Sequence, residues 1–299
     1  MNRRNPQSPR VTLQTRGRQS AASMRVVGTM APKSKQDVEG KNHHPRVSAP
    51  VRRAFFLVGE GTGSSPLSRL IRSSHRAGGG RNGGRTRLAL VLTLLWVCAR
   101  PSEETQLYET TRTSGQLADL IGFEYTGTSK GEAKAGTEAI NHALRDLEER
   151  GFVQITPGSS TRPRRVTLLC EDGTGDRYVR PRGGKEDSYV QIPQRLWTQG
   201  ALADLNAPGM AMLLVSLDLT RSPDQHIAMR EELVKLRYGI SNATRRRGLA
   251  ELKEQGFLEL HQTKDRDSDG KLRLKNSYVL NPPTLWGHYR SASAAKTGS

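Results

Sequence analysis

YGISNATRRRGLAELKEQGF, residues 238–257, reads as one helix with a defined start and stop. Ser241 is a good N-cap, since its hydroxyl accepts a backbone N–H that the first helical turn leaves unpaired. Gly256 suits the left-handed position just past a helix end. Gly248, Leu249 and Leu252 share one face at helical spacing, while Asn242, Thr244, Arg246 and Arg247 fall largely off it, near the N-terminal end. An apolar back and a basic, polar front near the N-terminus are what the major groove of DNA accepts. A solvated surface helix would carry the same residues.

A second copy of the pattern lies upstream. ALRDLEERGFV at 143–153 matches GLAELKEQGFL at 248–258, with Leu144, Leu147, Glu149, Gly151 and Phe152 in register with Leu249, Leu252, Glu254, Gly256 and Phe257. Each block follows two helical stretches and precedes a short alternating run, so the chain is expected to hold two copies of one small domain.

The first unit is expected as a core helix at 87–100, with Leu88, Val91, Leu92, Leu95 and Trp96 on its apolar side, then helices at 116–121 and 137–150. Strands at 152–156 and 164–170 follow. The second unit repeats the order: a strand at 189–192, helices at 208–219, 229–236 and 241–256, and strands at 257–262 and 271–280. Three helices and a two-stranded hairpin, twice over, describe a winged helix-turn-helix arrangement. No strand–helix–strand alternation suggests an α/β enzyme.

The charge balance is uneven. Residues 1–85 hold 17 Lys and Arg against Asp37, Glu39 and Glu60, which leaves +4 of the chain's +18 for all the rest. That segment is rich in Arg, Ser, Gly and Pro, with only Arg53 to Val58 breaking the pattern, and is expected to be a disordered basic tail. Translation from a downstream methionine such as Met30 is an alternative expectation. The predicted organisation is therefore a tail at 1–85, a winged-helix domain at 86–170, a polar linker at 171–188, a second winged-helix domain at 189–285 and a tail at 286–299: mainly α, with small β wings.

Cys98 and Cys170 lie far apart in apolar runs, which implies core positions and excludes a disulfide scaffold or zinc site. The longest apolar run, Leu88 to Cys98, is too short to span a bilayer. No nucleophile–base–acid set, phosphate loop or metal-ligand spacing emerges, so neither catalysis, cofactor nor metal is expected. A cytoplasmic protein associated with the nucleoid fits.

Ser241 to Leu249, followed by Leu252 and Gly256-Phe257, resembles the recognition-helix block of bacterial winged-helix regulators. Tyr189 to Pro193 with Leu196-Trp197, then Met212-Leu213-Leu214, Tyr238-Gly239-Ile240-Ser241 and Tyr278-Val279-Leu280, is similar to a group of actinobacterial helix-turn-helix proteins. Tandem winged helices of this kind also occur in plasmid replication initiators. The resemblance spans roughly residues 87–285. Arg245 departs from it, because the pattern usually has an apolar residue there; in the first copy Ile140 holds that place.

The expected partner is double-stranded DNA, bound sequence-specifically by a transcriptional regulator, possible as a homodimer. A plasmid or phage replication initiator and a protein-interaction scaffold are the alternatives. Arg246 and Arg247 carry the planar fork that matches guanine O6 and N7, and Asn242 can pair an adenine edge. Thr244 and Arg245 complete this set. In the first copy the groove-facing places hold Thr137, Glu138, Asn141 and His142, where Glu138 is repelled by phosphate though able to accept from a cytosine amino group, so the second copy is the candidate for the stronger reader. In the second wing, strand alternation puts Lys271, Arg273 and Lys275 opposite an apolar face of Leu272, Leu274, Tyr278 and Leu280, a stripe suited to the phosphate backbone. Arg162, Arg164 and Arg165 are the equivalent candidates in the first wing.

Overall fold

The computed structural model describes residues 13–30, 48–59, 61–72, 83–123, 130–184, 187–222, 224–266 and 272–281. Among these residues the fold is helix-rich with three small antiparallel sheets. Its first repeated unit begins with α4 (Gly83–Val97), whose residues Thr86 to Trp96 are all buried. A helix buried on every side needs cover all round, and its buried Arg87 is paired with Asp146 at 2.7 Å. β2 (Glu109–Thr110), α5 (Ser114–Leu120), α6 (Lys130–Glu149), β3 (Val153–Thr156) and β4 (Arg165–Leu168) follow, and the sheet runs β2-β4-β3. Thr113 and Gln116 form a reciprocal capping box at the start of α5. α6 begins at Lys130, ahead of the start at 137 that its apolar pattern indicates.

The second unit follows the same order. α9 (Ala207–Leu219) is the buried first helix, and α10 (Glu231–Tyr238) and α11 (Asn242–Glu254) follow. β6 (Leu258–Arg266) and β7 (Leu272–Leu280) form the hairpin. Ile227, ahead of α10, bridges antiparallel to Tyr278 on β7, so it stands where β2 stands in the first unit. Both second helices end on a left-handed glycine, Gly122 (φ +62°) and Gly239 (φ +66°), a conformation open to glycine at no steric cost.

Residues 1–85 are not uniformly without structure, contrary to the composition-based expectation. α1 (Leu13–Met30), β1 (Ser48–Arg52), α2 (Arg53–Phe56) and α3 (Pro66–Ile71) all join the body. Phe55, Phe56, Leu67 and Leu70 belong to the same core as α4 and α9. The basic composition concealed this because many of the arginines are used internally. Arg52 pairs with Glu171 and Asp187 at 2.7 Å each. Arg53 Nε lies 2.7 Å from Asp218 Oδ1, close enough for ion pairing though off the hydrogen-bond direction. Asp218, fully buried near the end of α9, also accepts from Tyr238 Oη at 2.7 Å and Arg237 at 3.1 Å. α1 is anchored by Gln19, which donates to Leu120 O and accepts from Ala203 N.

The two units are not separate beads. Each has a leading segment: β1, α2 and α3 before the first, and β5 (Tyr189–Pro193), α7 (Arg195–Thr198) and α8 (Ala201–Asp204) before the second. β1 and β5 pair antiparallel with their centres opposed, Pro50 facing Gln191. Each leading segment then packs on the other unit. A Cβ on Gly122 would lie 2.4 Å from Ala203 Cβ of α8. A Cβ on Gly239 would lie 3.1 Å from Ser65 N and Ser68 Oγ at the start of α3. Ser65 Oγ donates to Tyr238 O, and Val58 N to Arg237 O. On the opposite side, Arg85 donates to carbonyls of Ile121, Gly122, Leu202, Ala203 and Leu205, gathering the ends of α5 and α8. Trp197 of α7 stacks on Trp96 of α4 at 4.8 Å and donates to Thr93.

The stretch expected as a linker is also packed. Glu171 and Tyr178 are buried, and Arg177 bridges to Leu169. In the second hairpin, Tyr278 and Leu280 are buried as expected, but Leu272 and Leu274 are 64% and 62% exposed. The strands outrun the body, so among the described residues nothing covers the outer half of the apolar stripe. Among the described residues, no helix is long and apolar enough to cross a membrane.

Candidate nucleic-acid interface

α11 is built from its ends inward. Ser241 Oγ accepts the Thr244 N–H and donates to Thr244 Oγ1, closing the N-terminus. Gly256 (φ +73°) lets Phe257 N return to Leu252 O. The back face lies on α9 through Gly248, Leu249 and Leu252, all buried. Glu251, half-buried beside them, accepts backbone N–H groups of Asn206 and Gly209 at the start of α9, where a helix leaves donors unpaired. Burial holds the Glu251 carboxyl above its ordinary pKa in spite of these bonds.

The solvent face of α11 is Ala243, Arg246, Arg247 and Ala250, all exposed and spaced i, i+3, i+4, i+7. The two alanines leave both guanidinium groups sterically open. Arg247 has one long contact, Nε to Ala243 O at 3.4 Å.

Three other residues of the expected set are used internally. Arg245 occupies the core-facing place held by buried Ile140 in α6, and its head turns sideways. Its Nε and Nη2 donate to Asn242 Oδ1 at 3.1 and 2.9 Å, and its Nη1 to Met229 O at 2.8 Å. Arg245 and Asn242 thus tie the start of α11 to the residue before Arg230, rather than reaching outward. Thr244 is half-buried beneath the Ser241 cap. The same tie sets exposed Arg230 beside the helix start, a cation that helix periodicity did not single out; Glu231 and Glu232 follow it.

In the second wing, Lys275 is exposed and opposite Thr263. Lys271 lies outside the described residues, and of Arg273 the backbone is described, paired with Asp265. Exposed Lys264 pairs with Leu274, so one cation of this hairpin lies on the apolar side of the ladder. The expected separation into one basic and one apolar face is therefore incomplete.

The first unit differs in chemistry. Asn141 Oδ1 accepts from Ser114 Oγ at 2.6 Å and Arg164 Nη1 at 2.8 Å, and Arg164 Nη2 donates to Ser114 Oγ. This closed triangle pins Arg164 in the crook between α5 and α6, where burial lowers its pKa. Arg165 is ion-paired with Glu109 and Glu104. His142 and Arg162 remain exposed, as does Arg145, but Glu138 and Glu149 share the surface of α6 with them.

No protein-family model matches the chain, and no curated protein matches it significantly.

Proposed function

We propose that the chain binds double-stranded DNA sequence-specifically through two winged-helix units in tandem, acting as a transcriptional regulator on the nucleoid. The observation that supports this most is the outer face of α11, where Arg246 and Arg247 project between two alanines at the start of a capped helix. Two planar forks on a helix N-terminus suit guanine edges in a major groove. Helix, bridging strand, helix, helix and hairpin is the element order expected of a winged helix; the first unit supports it with a three-stranded sheet in the order β2-β4-β3, and the second with a two-stranded hairpin that Ile227 joins at a single bridge. Arg245 and Asn242 serve as positioning residues for the helix start.

The test uses the full chain with excess competitor DNA, because arginines elsewhere retain DNA non-specifically. A random duplex pool is enriched on the protein and the best sequence is titrated by fluorescence anisotropy. Arg246→Ala with Arg247→Ala weakens that binding by about 1–3 kcal/mol per lost base contact. Unchanged affinity in a folded double variant refutes the assignment. A protein-contact reading rests on exposed Leu272 and Leu274, side by side on the hairpin; it is favoured if no duplex is enriched.

A further inference from the structure

We infer that one chain supplies both halves of the DNA contact, and that its target is an imperfect inverted repeat with unequal halves. The inference rests on the DNA-binding reading above. Two copies of a domain joined head to tail suggest a direct repeat in the target. The packing argues otherwise. β1 and β5 cross antiparallel with Pro50 and Gln191 at the centre. The leading segment of the first unit sits on Gly239 of the second, and that of the second on Gly122 of the first. Trp197 of the second leading segment stacks on α4, while Arg53 of the first pairs with Asp218 of α9.

Contacts that are returned in kind, i to j and j to i, are the mark of a twofold relation, here between halves of one chain. A twofold that relates the two units also relates α6 to α11. A duplex touched by both must present its two segments in opposite directions, since operator symmetry mirrors protein symmetry. Two such helices entering grooves on one side of a duplex lie about one turn, roughly 10 bp, apart.

The halves cannot be equal. α11 offers Arg246 and Arg247, whereas the matching places on α6 are Asn141, tied to Arg164 and Ser114, and exposed His142. The first wing adds exposed Arg162. One half-site is therefore set by arginine forks on guanine and the other by weaker, mixed contacts. α1 breaks the symmetry further, bridging Leu120 and Ala203 with no counterpart on the other side among the described residues. The pseudo-dimer is complete within one chain, so no second copy is needed.

The test is selection of random duplexes on the full chain and on two variants, Arg246→Ala/Arg247→Ala and His142→Ala/Arg162→Ala, with native mass spectrometry of the selected complexes. The expected result is two different half-sites in inverted orientation and one chain per duplex. The first variant should lose sequence constraint in one half, with affinity falling about 30-fold or more for its two lost contacts, and the second in the other half. Two identical halves holding two chains, a direct repeat, or a single half-site unaffected by the His142/Arg162 substitutions would overturn the inference while leaving DNA reading intact. No enriched sequence from the folded chain removes the DNA reading itself, and the inference with it.

Discussion

Replacing Gly248 with Ala tests the contact that seats α11 on the body. Two effects of opposite sign compete. In an ordinary helix the change is favourable by about 1 kcal/mol, because glycine loses more backbone entropy on folding. Here the added Cβ would lie 2.3 Å from Pro208 O, 2.8 Å from Pro208 C and 2.6 Å from Met212 Cγ. Close C···O approaches in proteins stop at about 3.3 Å, so the helices must separate by about 1 Å. Met212 is flexible and can turn aside, but Pro208 O belongs to the first turn of α9 and cannot. Overpacking costs about 1–3 kcal/mol, and a rigid backbone obstacle places this site near the top of that range. The net expectation is a loss of about 2 kcal/mol, read as a lower urea midpoint with an unchanged slope. Gly256→Ala is the control, because the added Cβ would meet nothing within 4 Å and the change costs only its left-handed backbone, about 1 kcal/mol. A Gly248→Ala protein as stable as the parent would mean that helix propensity wins and that α9 and α11 are not in such close contact.

Asp218→Ala should cost about 3 kcal/mol in urea unfolding, near the low end for breaking a buried ion pair because Arg53 and Arg237 can partly regain water; a loss below about 1 kcal/mol would remove the cluster as a clamp. Gln19→Ala should cost about 2 kcal/mol, because Leu120 O and Ala203 N lose their shared partner in a buried place. Parental stability for that variant would show that α1 is not part of the folded body. Burial pushes the Cys98 thiol up to about 12 and that of Cys170 up to about 11, and the thiolate is the reactive form. Native protein at pH 8 should therefore leave Cys98 unmodified by a maleimide and label Cys170 slowly, with both reacting in denaturant; fast labelling of Cys98 in native protein would contradict its burial.

α11 and the repeat were legible because they rest on local signals: Ser241 as a cap, Gly256 as a stop, and Leu249 and Leu252 one turn apart. Arg245 was visible as a misfit, but its solution required the carbonyl of Met229, which sequence spacing does not place. The N-terminal helix was missed for a different reason. α1 buries Gln19, Ser23 and small Ala22 rather than a leucine stripe, so its inward face looks polar until its hydrogen-bond partners, about 100 and 184 residues away, are known. β1 contains Pro50, which weakens a strand pattern. β2 is two residues long and its counterpart in the second unit is the single bridge at Ile227, both below the length at which alternation can be read. On the hairpin, alternation predicted which side chains share a face, but not where the body beneath them ends, and Leu272 and Leu274 fell beyond it.

The crossing of β1 with β5 bears on how the chain is made. β1 leaves the ribosome about 140 residues before its partner strand, and at roughly 5–20 residues per second that is an interval of about 7–28 s. Throughout it, Phe55, Phe56, Leu67 and Leu70 lack the α9 and α10 surfaces that cover them in the finished protein. Synthesis of the first unit therefore yields an incomplete body with an uncovered apolar side. The two units reach their final state together, once the second has emerged, and during that interval the nascent chain is a natural client for a chaperone.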